Sequence, residues 1–581
     1  MPQAWSFTKN PAKPAWIGFW NDRRDDFLSE CLTARLALLA DLATPEAVQD
    51  RVLADIVEIS FASAHWREQG FDALKSVDSE QLKASFRRTL PIMRYEDFVP
   101  LLDREAHTKG GVLTCSPVLR WLRTSGTTGR PKLVPYTLHW LIAYRMPAIR
   151  AMWGTYLHLH PELLDEPYAT LDTQTVREAA RDFVHGVEYQ AVSNRNPPLN
   201  DGDWNPPWYH APWFDEDVPT EHEERMYHRV RHLLGKDLRY ISAINPSTLI
   251  SFHGLIYQNR DQLVSDLFHG TLRGKPWGAP NPQEAVRLEG ILADPDFSLT
   301  QIWPSLTLYS CWLSGSAGLY QSKLDGIMPG VDKLPFMSCG TEGVTAIPVD
   351  ATLTSQPLSV NQAFYEFVPA DIPLGELLDA GESVETKLLD ELEVGQDYHL
   401  IMSQGNGLYR LWTGDIYHVE RMVNGVPWVY FVRRDGVFHS FTGEKLTEAD
   451  VTQALRQGFA GMGVDLGLYL CGPQWAEPPH YVVTAESAAP SPSASERLSA
   501  LVDRALAEVN IEYASKRDSA RLGPIRVQLV QNAAIAEYVE SMRTDDGAAQ
   551  YKYKPFQRNT TFMQQISAVK TLSTTKGTEY A

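Results

Sequence analysis

Between residues 25 and 105, apolar side chains return at close to every third or fourth position. Leu36, Leu39 and Leu42 form one such stripe, and Val52, Ile56 and Ile59 another. That period predicts amphipathic helices. After Thr137 the run Trp140, Leu141, Tyr144, Met146, Ile149 and Met152 predicts a mostly apolar helix. A glycine- and threonine-rich stretch, 124–132, precedes it and reads as a phosphate-binding loop feeding that helix. Over 305–348 short β-like runs are joined by glycine-containing turns. Over 363–435 the strands are longer: Phe364–Val368, Tyr398–Met402 and Trp428–Val432. A hinge is expected at 433–443 and a low-complexity turn at Ala485–Ser495. Beyond it Leu498, Leu501, Val502, Ala505 and Val509 mark a helical face, and Ile525, Val527 and Leu529 alternate as a strand does. The pattern is that of an α/β (mixed α+β) chain, with a large N-terminal domain over 1–435 and a smaller C-terminal α/β domain over 436–581.

One stretch fits neither period. Residues 190–216 hold Pro197, Pro198, Pro206, Pro207 and Pro212 together with Trp204, Trp208 and Trp213. Prolines at this density break regular elements. The tryptophans either dock an irregular segment on the core or line an apolar substrate pocket.

Composition narrows the function classes. The 581 residues carry a net charge of −19, which does not suit general binding to nucleic acid or to an anionic membrane surface. Five scattered cysteines form no CxxC pair, so reduced thiols in a cytoplasmic protein are expected. The N-terminal residues do not lead into a signal-like apolar stretch, and no apolar run approaches the roughly 18 residues of a membrane span. Oligomeric state is not legible. His228 and His232 stand four apart on a predicted helix, but without a His-Glu-x-x-His pattern they read as a solvated face.

The sharpest chemical signal is Thr124-Ser125-Gly126-Thr127-Thr128-Gly129-Arg130-Pro131-Lys132. Its glycines allow close approach of backbone to a polyphosphate, its hydroxyls can donate to phosphate oxygens, and Lys132 adds a cation. The spacing is not that of a Walker loop.

The order Ser-Gly-Thr-Thr-Gly-x-Pro-Lys resembles the phosphate-loop signature of the adenylate-forming superfamily. Gly407-Leu408-Tyr409-Arg410-Leu411-Trp412-Thr413-Gly414-Asp415 is similar to a stretch of the Gretchen Hagen family of acyl acid amido synthetases. Phe431–Arg434 with Glu444–Val451, and Glu512–Arg517 with Arg521–Pro524, resemble that family's hinge and C-terminal region. The resemblance implies a large adenylate-forming domain with sheets flanked by helices, and a mobile small domain that closes over the site. It implies ATP and Mg²⁺ as cofactors, with a small carboxylic acid and an amine or amino acid as substrates. Ser125, Gly126, Thr127 and Thr128 would hold phosphate. Thr341 would contact the α-phosphate, Glu342 would place Mg²⁺, and Asp415 would accept hydrogen bonds from the ribose. Arg433 and Arg434 could each meet ribose or phosphate. Lys552 or Lys554 would be the adenylation lysine. The sequence departs from the pattern at Ser338, where the family usually has a tyrosine beside adenine. A ligase with a thiol acceptor, or a nucleotide-binding relative without chemistry, are the alternative functions.

Overall fold

The computed structural model describes residues 14–108, 111–123, 133–166, 170–172, 179–182, 187–191, 222–244, 246–435, 438–439, 446–518, 522–542, 553–557 and 559–566. They fall into two compact units. The larger lies within 1–431, and the smaller takes 432–544 and 551–581 together with 315–322.

The larger unit opens with helices from Pro14 to Thr108, in the part of the chain where the apolar stripes predict them. Pro14–Leu42 packs along Met146–Leu159, and Gly154 sets how close they come: a Cβ there would stand 2.1 Å from the Cys31 carbonyl oxygen. Backbone cannot yield as a side-chain tip can, so only glycine fits this crossing. The predicted apolar helix after Thr137 forms, with a π-helical turn over Leu141–Arg145.

Three sheets of four or more strands follow among the described residues. One has the order Leu133–Thr137, Val118–Arg123, Val187–Ala191, Ala179–Asp182. A second is parallel and joins Asp332–Pro335, Leu308–Cys311, Tyr240–Ser242 and Thr170–Asp172. The third has five strands in the order Gln356–Pro357, Val426–Arg434, Leu411–Val423, Asp397–Ser403, Phe364–Pro369. The 305–348 region departs from its reading as strands joined by turns. A 3-10 turn, Gly315–Tyr320, and a helix, Gln321–Ile327, separate its strands, with Leu324 as the helix's buried anchor.

In the smaller unit, strands Tyr469–Gln474, His480–Ser487 and Arg526–Gln531 form one sheet, with helices Glu448–Ala460 and Pro492–Val509. The expected turn at Ala485–Ser495 is shorter than its composition suggested. The strand continues to Ser487, and Ser491 caps the next helix by accepting from the Ala494 N–H at 3.2 Å. The family-like segment 512–524 is architectural here: Asp503 accepts from the Tyr513 hydroxyl, from Arg517 and from the Ile525 N–H.

The His228–His232 face is not solvated. His232 is 3% exposed, and Trp277 meets both imidazoles edge-on. Burial holds the His232 pKa well below the ordinary histidine range, so the ring stays neutral. A four-residue spacing reports one helix face, and Trp277, some 45 positions along the chain, decides what covers it.

No helix among the described residues is long and apolar enough to cross a membrane. None of the five cysteines is in a disulfide.

Candidate active site

The glycine-threonine loop 124–132, Trp204, Trp208, Trp213 and Lys552 lie outside the described residues. The flanks of the loop are described, and they correct one expectation. Val118–Arg123 and Leu133–Thr137 are antiparallel with Arg123 opposite Leu133, so the loop connects two paired strands instead of feeding a helix. The helix begins only after the second strand, where Thr137 caps it. Tyr95 fixes the loop's exit: the Leu133 N–H donates to its hydroxyl at 2.6 Å, and the hydroxyl is 2.9 Å from the Leu133 carbonyl.

Thr341 and Glu342 occupy the tip of a short hairpin. Ser338–Cys339 pairs with Val344–Ala346, and the Gly340 N–H closes the tip on the Gly343 carbonyl at 2.9 Å. Both residues are half-buried. No cluster of three or more metal-ligating side chains exists among the described residues. A Mg²⁺ carried on a nucleotide takes one or two carboxylates besides phosphate oxygens. Glu342 is a fitting hard ligand.

Asp415 is displayed by a break in its strand. Trp412 pairs with Ile401 and Ile416 with His399, so Thr413, Gly414 and Asp415 all stand opposite Leu400. Gly414 takes a φ of +76°, a conformation that favours glycine. The Thr413 hydroxyl donates to the Leu400 carbonyl at 3.1 Å and accepts from the Asp415 N–H at 3.0 Å. The bulge thereby satisfies backbone groups the ladder leaves over and re-aims the aspartate.

The two motifs are joined by side chains. Tyr417, two residues past Asp415, shares a 2.9 Å hydrogen bond with Ser338 at the base of the hairpin. Burial, and then the Asp415 charge, push the Tyr417 hydroxyl pKa up, so it remains a neutral donor. Sequence reasoning missed this tyrosine; the signal for it was its place two residues from Asp415. Gln404, missed as well, donates from its side-chain amide to the Glu342 carbonyl.

Behind these residues stands a third polar group. Asp55 accepts from His139 Nε2 at 2.7 Å and from the Tyr144 hydroxyl. The Tyr144 ring lies against Gly405, where a Cβ would meet it at 2.9 Å, and the Thr137 hydroxyl donates to the Gly405 carbonyl at 3.2 Å. One face of Asp55 and Tyr144 also borders a cavity of about 300 Å³ between helices, lined further by Asp41, Arg51, Asn361 and Gln362.

Arg433 and Arg434 end the strand Val426–Arg434. In the smaller unit Lys554 is exposed, between buried Tyr553 and Pro555. Its neighbours are fixed to a strand: the Cys471 N–H donates to the Pro555 carbonyl and the Gln557 N–H to the Cys471 carbonyl, each at 2.7 Å.

Three family models match the chain in succession. They are the GH3 family N-terminal domain over residues 37–333, the central domain over 356–434 and the C-terminal domain over 449–561. The indole-3-acetic acid-amido synthetase GH3.4 of Arabidopsis thaliana is 23% identical over 87% of this chain and 88% of its own length. The 4-substituted benzoates-glutamate ligase GH3.12 of the same plant is 23% identical over 76% and 78% respectively. A solved structure of the acyl acid amido synthetase AtGH3.15 in complex with 2,4-DB shares the fold, with a TM-score of 0.73 at 20% identity, covering 92% of this chain and 96% of that one. With the first model alone spanning just over half of the residues, the chain belongs to the GH3 family, the Gretchen Hagen family that its motifs resemble.

Proposed function

We propose that this protein is an ATP-dependent acyl acid amido synthetase. A substrate carboxylate oxygen attacks the α-phosphorus of ATP, the bond to the β-phosphate bridging oxygen breaks, and pyrophosphate leaves. An amine, in this reading that of an amino acid, then attacks the acyl carbon of the mixed anhydride. The amide forms, AMP departs and the amine releases a proton. The work asked of the protein is alignment and neutralisation of charge.

The observation that carries the reading is the meeting of two motifs far apart in sequence. The Thr341–Glu342 hairpin is tied to the 404–417 segment at its tip by Gln404 and at its base by Tyr417. Asp415 thus stands two residues from the tyrosine that touches the hairpin, and its charge acts on that hydroxyl. In this reading Asp415 accepts from the ribose hydroxyls, for which a carboxylate has two acceptor oxygens. Thr341 donates to the α-phosphate, and Glu342 would hold Mg²⁺, which would supply positive charge at the triphosphate. Tyr417 brings an aromatic ring beside Ser338, where the family's usual tyrosine is missing. The loop residues Ser125, Gly126, Thr127 and Thr128 hold the β- and γ-phosphates, Arg433 or Arg434 adds a cation, and Lys552 or Lys554 stabilises charge at the α-phosphate. The tryptophans of 204–213 favour an apolar or aromatic acid, and the cytoplasm is the compartment that supplies ATP.

Acid-dependent exchange of labelled pyrophosphate into ATP, run over aryl, indolyl and aliphatic acids, tests the first half-reaction. Exchange with one class of acid is expected. Product analysis with amino acids and with coenzyme A tests the second: amide is expected, and thioester without amide would overturn the assigned acceptor.

A further inference from the structure

We infer that Gln404 is a positioning residue for the Thr341–Glu342 hairpin, setting where Glu342 presents its carboxylate to a metal–nucleotide complex. This deepens the adenylation reading and rests on it.

The hairpin tip is a weak place to mount a ligand. Its own closure is the single Gly340–Gly343 main-chain hydrogen bond, and Thr341 and Glu342 lie beyond the paired strands. Gln404 supplies a second attachment from another sheet, through its amide N–H to the Glu342 carbonyl. The side chain is 1% exposed, and its Oε1 has no hydrogen-bond partner among the described residues. Leaving a buried acceptor unsatisfied is unfavourable, and it is tolerated here where the same amide makes its one bond to the hairpin. Gly343 makes room for this. A Cβ at Gly343 would stand 2.3 Å from Oε1 and 2.5 Å from Nε2, so the carboxamide lies in the space a side chain would need.

Gln404 is itself held. The Gly407 N–H donates to its carbonyl at 3.1 Å. The next residue, Gly405, is pressed on the Tyr144 ring and bonded by Thr137. Thr137 ends the strand that leaves the 124–132 loop, so that strand and the Glu342 hairpin share one support at 404–405.

Two variants separate positioning from bulk structure. Gln404→Leu keeps the volume and removes the donor. Gly343→Ala leaves Gln404 in place but displaces its carboxamide; because the atoms in the way are the end of a flexible side chain, the fold should tolerate it. Both should melt near the wild-type temperature. Both should raise the Mg²⁺ concentration needed for pyrophosphate exchange, and lower the exchange rate by about 10- to 100-fold, the usual effect of removing support behind a metal ligand. The KM for the acid should be unchanged. The double variant Gly343→Ala/Gln404→Ala should lose no more than Gln404→Ala alone, because both act through one contact. Wild-type Mg²⁺ dependence in Gln404→Leu, or independent multiplying losses in the double variant, would overturn the assignment. Thermal shift of the wild-type protein by Mg·ATP is the control. No shift would sink the adenylation reading and this inference with it, whereas a shift alongside unaffected variants sinks this inference alone.

Discussion

The nine residues 407–415 look like one motif in the sequence and are two different objects in the fold. From Gly407 to Arg410 everything is buried. Tyr409 stacks on Phe71 at 5.4 Å between ring centroids and shares a hydrogen bond with Ser60. Arg410, 4% exposed, forms a two-pronged ion pair with Glu366, its Nε and Nη2 each within 2.9 Å of a carboxylate oxygen. It also donates to the carbonyls of Arg87 and Leu90. Five residues on, Asp415 is half-exposed on a bulge whose purpose is display. The first half closes a core and the second half offers a carboxylate. A motif match reports both halves with equal weight; burial and partners are what separate them.

Breaking each half should therefore give opposite results. Arg410→Ala strands the fully buried Glu366 carboxylate, with Thr386 as its remaining side-chain partner among the described residues. A buried pair that loses one partner costs about 3–5 kcal/mol. Chemical denaturation should show a loss of that size, or no soluble protein at all. Asp415→Asn should leave the denaturation curve within about 0.5 kcal/mol of wild type. Its effect belongs in the KM for ATP and in the exchange rate, about 10- to 100-fold in kcat/KM if a charged hydrogen bond of about 1.5–3 kcal/mol is lost. A stability loss in Asp415→Asn with normal exchange would reverse the division proposed here.

The two glycines sharpen the contrast. Gly407 and Gly414 both have positive φ, +90° and +76°. A Cβ on Gly407 would fall 2.6 Å from the Leu113 Cβ and 2.9 Å from its carbonyl oxygen, whereas one on Gly414 would meet nothing within 4 Å. Alanine at 414 should cost only the left-handed backbone, about 1–2 kcal/mol. Alanine at 407 should add overpacking of about 1–3 kcal/mol to the same term. Equal melting temperatures for the two variants would count against the packing described for the buried half.

How much of this was legible beforehand follows the range of the interactions. The helices of 25–105 and the strands at 364–368, 398–402 and 428–432 were readable because periodicity is local. The family was readable because several short motifs stand in order along the chain. Gln404 and Tyr417 were not, since each matters through a partner 62 or 79 positions away. His232 reads as solvated for the same reason: its helix shows a polar face, and Trp277, distant in sequence, packs against it. The loop at 124–132 reads as leading into a helix because glycine-rich phosphate loops often do, while the strand Leu133–Thr137 that intervenes is only five residues long.

A gentler test concerns the second polar cluster, Asp55 with His139 and Tyr144, which stands between the two halves in character. It is hydrogen-bonded like the Glu366–Arg410 pair, yet the Asp55 and His139 side chains keep 33% and 31% of their exposure. Burial pushes the Asp55 pKa up, but the hydrogen bonds from His139 and Tyr144 outweigh it and hold the carboxyl below its ordinary range. A carboxyl whose folded pKa is depressed contributes stability above its unfolded value, near 3.9, and loses that contribution as pH falls through the lower folded value. The stability difference between wild type and Asp55→Asn should accordingly be flat from pH 7 to about 5 and shrink below about 4. Its size should stay within about 1 kcal/mol, the range of solvent-screened ion pairs. A difference that persists unchanged at the acid end would mean that the cluster acts through shape, supporting Gly405 with the Tyr144 ring, and that the charge on Asp55 has no part in it.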